Sequence, residues 1–172
     1  IFNSCVLVSP KCYLNTYRKI HLFNLEKEWF DPGDKPFFVV DIGEGKIGMM
    51  ICFDWIFPES MRTLATLGAD VICHPTNLVM PYCQKATVTR CLENNIFSIT
   101  ANRIGSDKRP FGGIGFTGQS QITAPLGKIL ASASENKEQV KVVEIDIQEA
   151  RNKNLNPNND LFADRRPEMY NL

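Results

Sequence analysis

Between Lys46 and His74 the chain reads strand, helix, strand, and this unit constrains the fold more than any other feature. Lys46 to Cys52 is a short apolar run of strand length. From Pro58 to about Leu67 the pattern turns helical: Pro58 suits the first helical position, Glu59 the positive end of the dipole and Gly68 the C-terminal cap. Met61, Leu64, Ala65 and Gly68 form its inward stripe. Ala69 to His74, bounded by Pro75-Thr-Asn77, then reads as a buried strand. Two strands joined by such a crossover run parallel when they share a sheet. An α/β fold follows, with Cys52 at the junction of strand and helix.

The remaining pattern extends that fold. Ile1 to Ser9 reads as a strand, and Thr16 to Phe23 as another with period-two alternation. Asp31-Pro-Gly-Asp34 has Pro and Gly where a type II turn wants them. Phe37 to Ile42 pairs with Lys46 to Cys52 as a hairpin across Gly43-Glu-Gly45. A second helix is predicted over Gln84 to Asn94, followed by a strand over Ile96 to Asn102. Ser106 to Gly113 is a polar, glycine-rich loop. Gly118 to Thr123 and Val140 to Ile147 read as strands, with Ala124-Pro-Leu-Gly127 a turn between them. The tail from Arg151 to Leu172 is expected to pack as an extended arm. With no internal repeat or low-complexity linker, residues 1–172 are expected to form one domain with a sizeable core.

Composition narrows the function classes. Nineteen Lys plus Arg balance nineteen Asp plus Glu, which gives no electrostatic footprint for nucleic acid or an anionic membrane. The basic pairs Lys108-Arg109 and Arg165-Arg166 are short and interleaved with acids. No apolar run reaches the roughly 18 to 20 residues of a membrane span, and no secretory signal opens the chain. The start, Ile-Phe-Asn-Ser-Cys without a Met, falls inside a predicted strand and reads as the interior of a longer polypeptide. Six cysteines are irregularly spaced without a C-x-x-C, and Cys73 and His74, adjacent in a strand, point to opposite faces. They read as free thiols of a cytoplasmic enzyme.

Gly113-Ile-Gly-Phe-Thr-Gly118 is a literal G-x-G-x-x-G, but a polar loop precedes it and a strand pattern follows. Dinucleotide binding needs a strand before and a helix after. It is read as a loop entering a strand, and no cofactor is expected. Cys52 stands where open α/β sheets place their ligands, near backbone N–H groups able to stabilise a thiolate. Position alone leaves it open between a buried structural thiol and a nucleophile. The other five cysteines lack such a junction and read as structural. Lys19 shares a strand face with Tyr17 and His21. A lone strand Lys is usually solvent-facing, and His21 reads as a hydrogen-bonded structural residue.

Several blocks together carry a resemblance. Tyr17-Arg-Lys-Ile-His-Leu-Phe23, Phe30-Asp-Pro-Gly33 and Ile51-Cys-Phe-Asp-Trp-Ile-Phe-Pro-Glu-Ser60 resemble the lysine and cysteine blocks of the nitrilase-type carbon–nitrogen hydrolases. Gly68-Ala-Asp-Val-Ile72, His74-Pro-Thr-Asn77, Arg90-Cys-Leu-Glu-Asn-Asn95, Ala101-Asn-Arg-Ile-Gly105 and Phe116-Thr-Gly-Gln-Ser120 continue in family order to Asn159-Asp-Leu-Phe-Ala-Asp-Arg-Arg-Pro-Glu-Met-Tyr170. The similarity is greatest to archaeal aliphatic-nitrilase-like and N-carbamoyl-amidase-like branches.

The resemblance implies a four-layer α-β-β-α sandwich, here lacking its first strand and helix, and a Glu-Lys-Cys triad. Cys52 would attack an amide, carbamoyl or nitrile carbon, and Lys19 and the Phe53 backbone N–H would hold the oxyanion. Glu26 would position Lys19 or substrate, with Glu28 the local competitor, and Asn77 would line the pocket. Asp54, Glu59, Arg62, Arg90 and Glu93 would tie the cysteine loop and helices together. Metal and organic cofactors are not required, and a homodimer through the helical face is implied. One departure stands out: the family's general base lies upstream of the lysine block, and residues 1–18 contain no Asp or Glu. The chain alone is therefore expected to be inactive. The rival expectation is a non-catalytic homologue serving as a binding or assembly module.

Overall fold

The structure, a computed structural model, describes residues 1–108 and 112–170. Its frame is a six-stranded sheet in the order β10-β9-β6-β5-β4-β3, formed by β3 (Val39–Asp41), β4 (Lys46–Met49), β5 (Val71–Thr76), β6 (Phe97–Asn102), β9 (Gln121–Thr123) and β10 (Ile129–Ser132). The hairpin β3–β4 is antiparallel, and β4, β5 and β6 run parallel, as the βαβ reading requires. A separate antiparallel pair joins β1 (Ser4–Val8) to β2 (Tyr13–Arg18). Outside these, β7 (Ser106–Asp107) pairs with β8 (Ile114–Gly115), and β11 (Asn154–Asn156) with β12 (Asn159–Asp160).

β4 is buried on both faces, which explains its unbroken apolar run. Toward one side Met50 and Ile72 pack against Met61, Leu64 and Ala65 of the helix α2 (Pro58–Thr66) and Cys91 of α3 (Cys83–Asn94). Gly48 makes this approach possible: a Cβ there would lie 2.8 Å from Ile72 and 3.1 Å from Leu64. Toward the other side Met49 and Ile51 meet Tyr17, Cys5 and Leu7 of the β1–β2 pair. Helices, six-stranded sheet and second sheet thus stack as three layers.

Several sequence expectations shift. Gly68, expected in the inward stripe, is exposed at φ +88° and serves only the end of α2. Gly33 does not take the positive φ of a type II turn. Instead its N–H donates to the Lys19 carbonyl, and a Cβ would lie 2.3 Å from the Arg18 carbonyl oxygen. The predicted strand over Val140 to Ile147 carries no ladder among the described residues, and Val140 and Val142 are about nine-tenths exposed. Its alternation is that of a strand, but nothing in the described chain pairs with it. The sheet is extended instead by β10, which follows the Pro125–Gly127 turn. No helix follows Gly118, which enters β9 through an irregular stretch.

The tail is less extended than expected. After the helical turn α4 (Gln148–Arg151), the Arg151 guanidinium donates twice to Asp70, at 3.0 and 2.9 Å. Lys153 caps α3 by donating to the Asn94 and Asn95 carbonyls, and burial pushes its pKa down to about 8. Asn171 and Leu172 of the predicted arm, and Arg109 to Phe111 of the predicted loop, lie outside the described residues. No helix among those described is long and apolar enough to cross a membrane.

Candidate active site

At the carboxyl ends of β4 and β5, facing the start of β1, lies a cleft of about 490 Å³. Cys52, Glu26 and Asn77 line it, together with Phe23, Arg103 and Phe116. Cys52 enters it because β4 stops early. The predicted strand to Cys52 ends at Met49, and a 3-10 turn begins at Cys52. The Ile51 N–H donates to Asp54 Oδ2 at 2.8 Å rather than to a neighbouring strand. Cys52 itself has φ +43°, in the left-handed region, at a cost of about 1–2 kcal/mol for a residue with a Cβ. Such strain is maintained only where the surroundings over-determine it.

Those surroundings are polar and buried. Asp54, fully buried, accepts from the Tyr17 hydroxyl at 2.8 Å and the His21 backbone N–H at 3.2 Å, and it pairs with His21 Nδ1 at 2.8 Å. His21 stacks on Phe57, with ring centroids 3.9 Å apart. One aspartate thus ties the end of β2 to the cysteine turn, and the structural readings of Asp54 and His21 match what is seen. Arg62 joins α2 to α3 by donating to the Glu93 carbonyl, whereas Arg90 pairs with the Glu93 carboxylate within α3.

The same network explains why the predicted strand over Thr16 to Phe23 ends at Arg18. The N–H groups of Ile20, His21 and Phe23 bond to the Tyr17 hydroxyl, Asp54 and Glu26, so no ladder is left to make. Lys19, leaving the strand, is 1% exposed, contrary to the solvent-facing habit of a strand lysine. Its Nζ donates to Glu26 Oε2 at 2.5 Å. That oxygen also accepts the Phe23 N–H, and Asn3 Nδ2 donates to Oε1 at 3.1 Å. Glu26 therefore belongs to the lysine, whereas Glu28, on the same short helix α1 (Glu26–Trp29), is exposed.

Burial pushes the Cys52 thiol pKa up. The Asn77 and Phe53 backbone N–H groups and the Lys19 charge pull it back, and the Glu26 charge pushes it up again. Of the other four residues singled out from sequence, three thus favour the thiolate, and Glu26, bound to Lys19, opposes it. Phe53 contributes by its backbone only, since its ring packs between Phe23 and Phe57 away from the large cleft. Asn77 is held in place by Asn102, whose Oδ1 accepts from the Thr76 hydroxyl and the Leu78 N–H at 2.9 Å each.

Sequence reasoning missed three residues. Cys5, read as structural, lines the cleft opposite Cys52, and burial pushes its pKa up to about 11. Arg103 lies over the Phe116 ring and donates twice to Asp107 on the outer wall. His74 donates to the Cys52 carbonyl at 2.9 Å. Only His74 carried a signal, a polar residue in an otherwise apolar strand. All six cysteines are free, and no group of three metal-ligating side chains occurs among the described residues.

The site thus brings together a cysteine in a left-handed turn, backbone N–H groups and a lysine charge that act to lower its thiol pKa against burial, and the carboxyl ends of parallel strands. Such donors and charge favour a thiolate. The chain belongs to the carbon–nitrogen hydrolase family, whose sequence profile matches residues 1–154. It is 52% identical over 170 residues to a nitrilase of Pyrococcus abyssi, covering 99% of this chain and 63% of that protein. A carbon–nitrogen hydrolase of Helicobacter pylori superposes with a TM-score of 0.88 at 28% identity, covering 99% of this chain and 64% of that one. A Nesterenkonia amidase superposes with a TM-score of 0.67 at 30% identity over 72% of this chain and 47% of its own. It was solved as a mutant with the acetamide moiety of fluoroacetamide added covalently at its active-site cysteine. The mixed α/β architecture is that of the nitrilase superfamily.

Proposed function

We propose that the protein hydrolyses non-peptide C–N bonds of small amides, N-carbamoyl compounds or nitriles, with Cys52 as nucleophile. The observation that carries this reading is the left-handed Cys52 turn at the cleft, with the Asn77 and Phe53 N–H groups and the Lys19 charge acting on its sulfur. The adduct at the cysteine of the Nesterenkonia amidase supports it by analogy.

For an amide, a carboxylate base takes the Sγ proton as sulfur bonds to the carbonyl carbon. Lys19 and the Phe53 N–H stabilise the oxyanion, and Glu26 holds Lys19 in place. The C–N bond then breaks as nitrogen takes the proton, leaving ammonia or an amine and a Cys52 thioester. Water, deprotonated by the same base, attacks the thioester carbon, releasing the acid and restoring the thiol. A nitrile enters by the same sulfur attack and consumes two waters per ammonia. By family resemblance the base lies upstream of the lysine block, where residues 1–18 hold no carboxylate. Assays therefore use the protein with whatever coding sequence precedes Ile1, and the isolated 172 residues are expected to release negligible ammonia.

A second copy of the chain is proposed to cover the outer face of α2 and α3, where Leu67 and Leu92 are about half exposed. Elution as a monomer in gel filtration counts against this. Six free thiols fit a reducing, cytoplasmic compartment. The decisive test measures ammonia release from small aliphatic amides, N-carbamoyl compounds and dinitriles. Turnover by the unaltered protein and none by Cys52→Ala is expected, and activity retained by Cys52→Ala sinks the assignment.

A further inference from the structure

The peptide between Cys52 and Phe53 has two working ends. No cis peptide occurs among the described residues, and a trans peptide points its C=O and N–H in opposite directions across one plane. The N–H end belongs to Phe53, the residue after Cys52, and acts to lower the Cys52 thiol pKa. The C=O end, from Cys52, is held on the far side by His74 Nε2 at 2.9 Å. Whatever fixes the carbonyl therefore also fixes the direction of the N–H.

His74 is built for a fixed direction. It is 1% exposed on β5, and burial pushes its pKa down to about 4, so the imidazole is neutral at working pH. A neutral imidazole has one N–H, and a carbonyl oxygen can only accept. Nε2 therefore carries the hydrogen, and Nδ1, 3.4 Å from the Thr100 hydroxyl, is the acceptor. Thr100 is itself 1% exposed on the adjacent strand β6. A chain of donors runs from Thr100 through His74 to the Cys52 carbonyl.

We propose that His74 is a positioning residue that aims the Phe53 N–H at the sulfur and the oxyanion through their shared peptide plane. This rests on the reading of Cys52 as nucleophile. His74 touches neither sulfur nor substrate in this account, and its removal leaves the N–H in place but free to swing.

The test compares His74→Leu, His74→Gln and Thr100→Val in the full-length protein. The Gln amide nitrogen can keep a donor near the position of Nε2. Iodoacetamide alkylation is followed against pH and read at the Cys52 peptide by mass spectrometry, which needs no turnover. In His74→Leu the profile is expected to move to higher pH, with alkylation at pH 7.5 slowed about fivefold. His74→Gln is expected within about twofold of the unaltered protein, and Thr100→Val between the two. On an amide substrate His74→Leu is expected to lower kcat about a hundredfold with little change in KM. A His74→Leu profile that superimposes on the unaltered one overturns the proposal, as does His74→Gln losing as much as His74→Leu. Should His74→Leu fail to fold, Thr100→Val decides, and its superposition on the unaltered profile overturns the proposal. Failure of the nucleophile reading is seen separately, as turnover retained by Cys52→Ala.

Discussion

The parallel strands β4, β5 and β6 bury two kinds of interior. Under α2 and α3 they meet Met61, Leu64, Cys91 and Ile96 through Met50 and Ile72. At their carboxyl ends Lys19, Asp54, His74 and Thr100 are just as inaccessible, each held by a named hydrogen bond. Apolar burial stabilises in proportion to area and has no direction, so many arrangements of the helix face are nearly equivalent. Buried polar groups are costly unless paired, so the carboxyl ends admit few arrangements. The first region holds the molecule together, and the second spends part of that stability on holding Cys52 in a left-handed turn.

This division implies that substitutions in the two regions fail in different ways. Lys19→Ala in the full-length protein is expected to cost about 10³-fold in kcat, because the proposed oxyanion donor is lost and Glu26 loses its cationic partner. Steady-state kinetics check this, with circular dichroism to confirm folding. Asp54→Asn is expected to lose about 3 kcal/mol in urea unfolding, since a buried acceptor of several hydrogen bonds is weakened at once. Leu64→Ala is expected to lose about 3 kcal/mol by the same assay, through cavity formation. Its turnover per folded molecule should be unchanged, and a kcat loss there would blur the comparison. Gly48→Ala is expected to cost about 2 kcal/mol, because the new methyl meets Ile72 and Leu64.

The smallest effect concerns pH. Burial raises the thiol pKa of Cys5 to about 11 and of Cys83 to about 12, against 9.0 for a free thiol. The folded state keeps these protons where the unfolded state has begun to lose them. Their contribution is therefore full below pH 9 and declines as pH rises from 9 toward 12. The melting temperature should fall between pH 9 and 10.5, and Cys83→Ala should make that fall shallower. An unchanged slope contradicts burial as the cause.

The apolar region was the more legible of the two in sequence. Pro58, Gly68 and the Met61, Leu64, Ala65 stripe mark α2 to within a residue, and Gly43-Glu-Gly45 marks the hairpin. Pattern misled where the chain bonds to side chains in place of strands. Alternation through Thr16 to Phe23 continues beyond Arg18, but Asp54, Glu26 and Tyr17 take the backbone N–H groups there. Val140 to Ile147 alternates like a strand and finds no partner among the described residues, whereas Ile129 to Ser132, with no clear period, pairs with β9. Cys52 and Lys19 were legible only through the ordered family blocks, because period and composition cannot report that Lys19 is buried. The contact from His74 to the Cys52 carbonyl spans 22 residues and depends on a backbone atom, which leaves no trace in residue type.

The most direct test of the account is acyl-enzyme trapping. Full-length protein is mixed with a small aliphatic amide, quenched in acid within the first turnovers and digested for mass spectrometry. The account predicts the acyl mass on the peptide containing Cys52, absent from Cys52→Ala. An acyl group on any other cysteine, or turnover with Cys52 unmodified at every time point and preserved in Cys52→Ala, would contradict it.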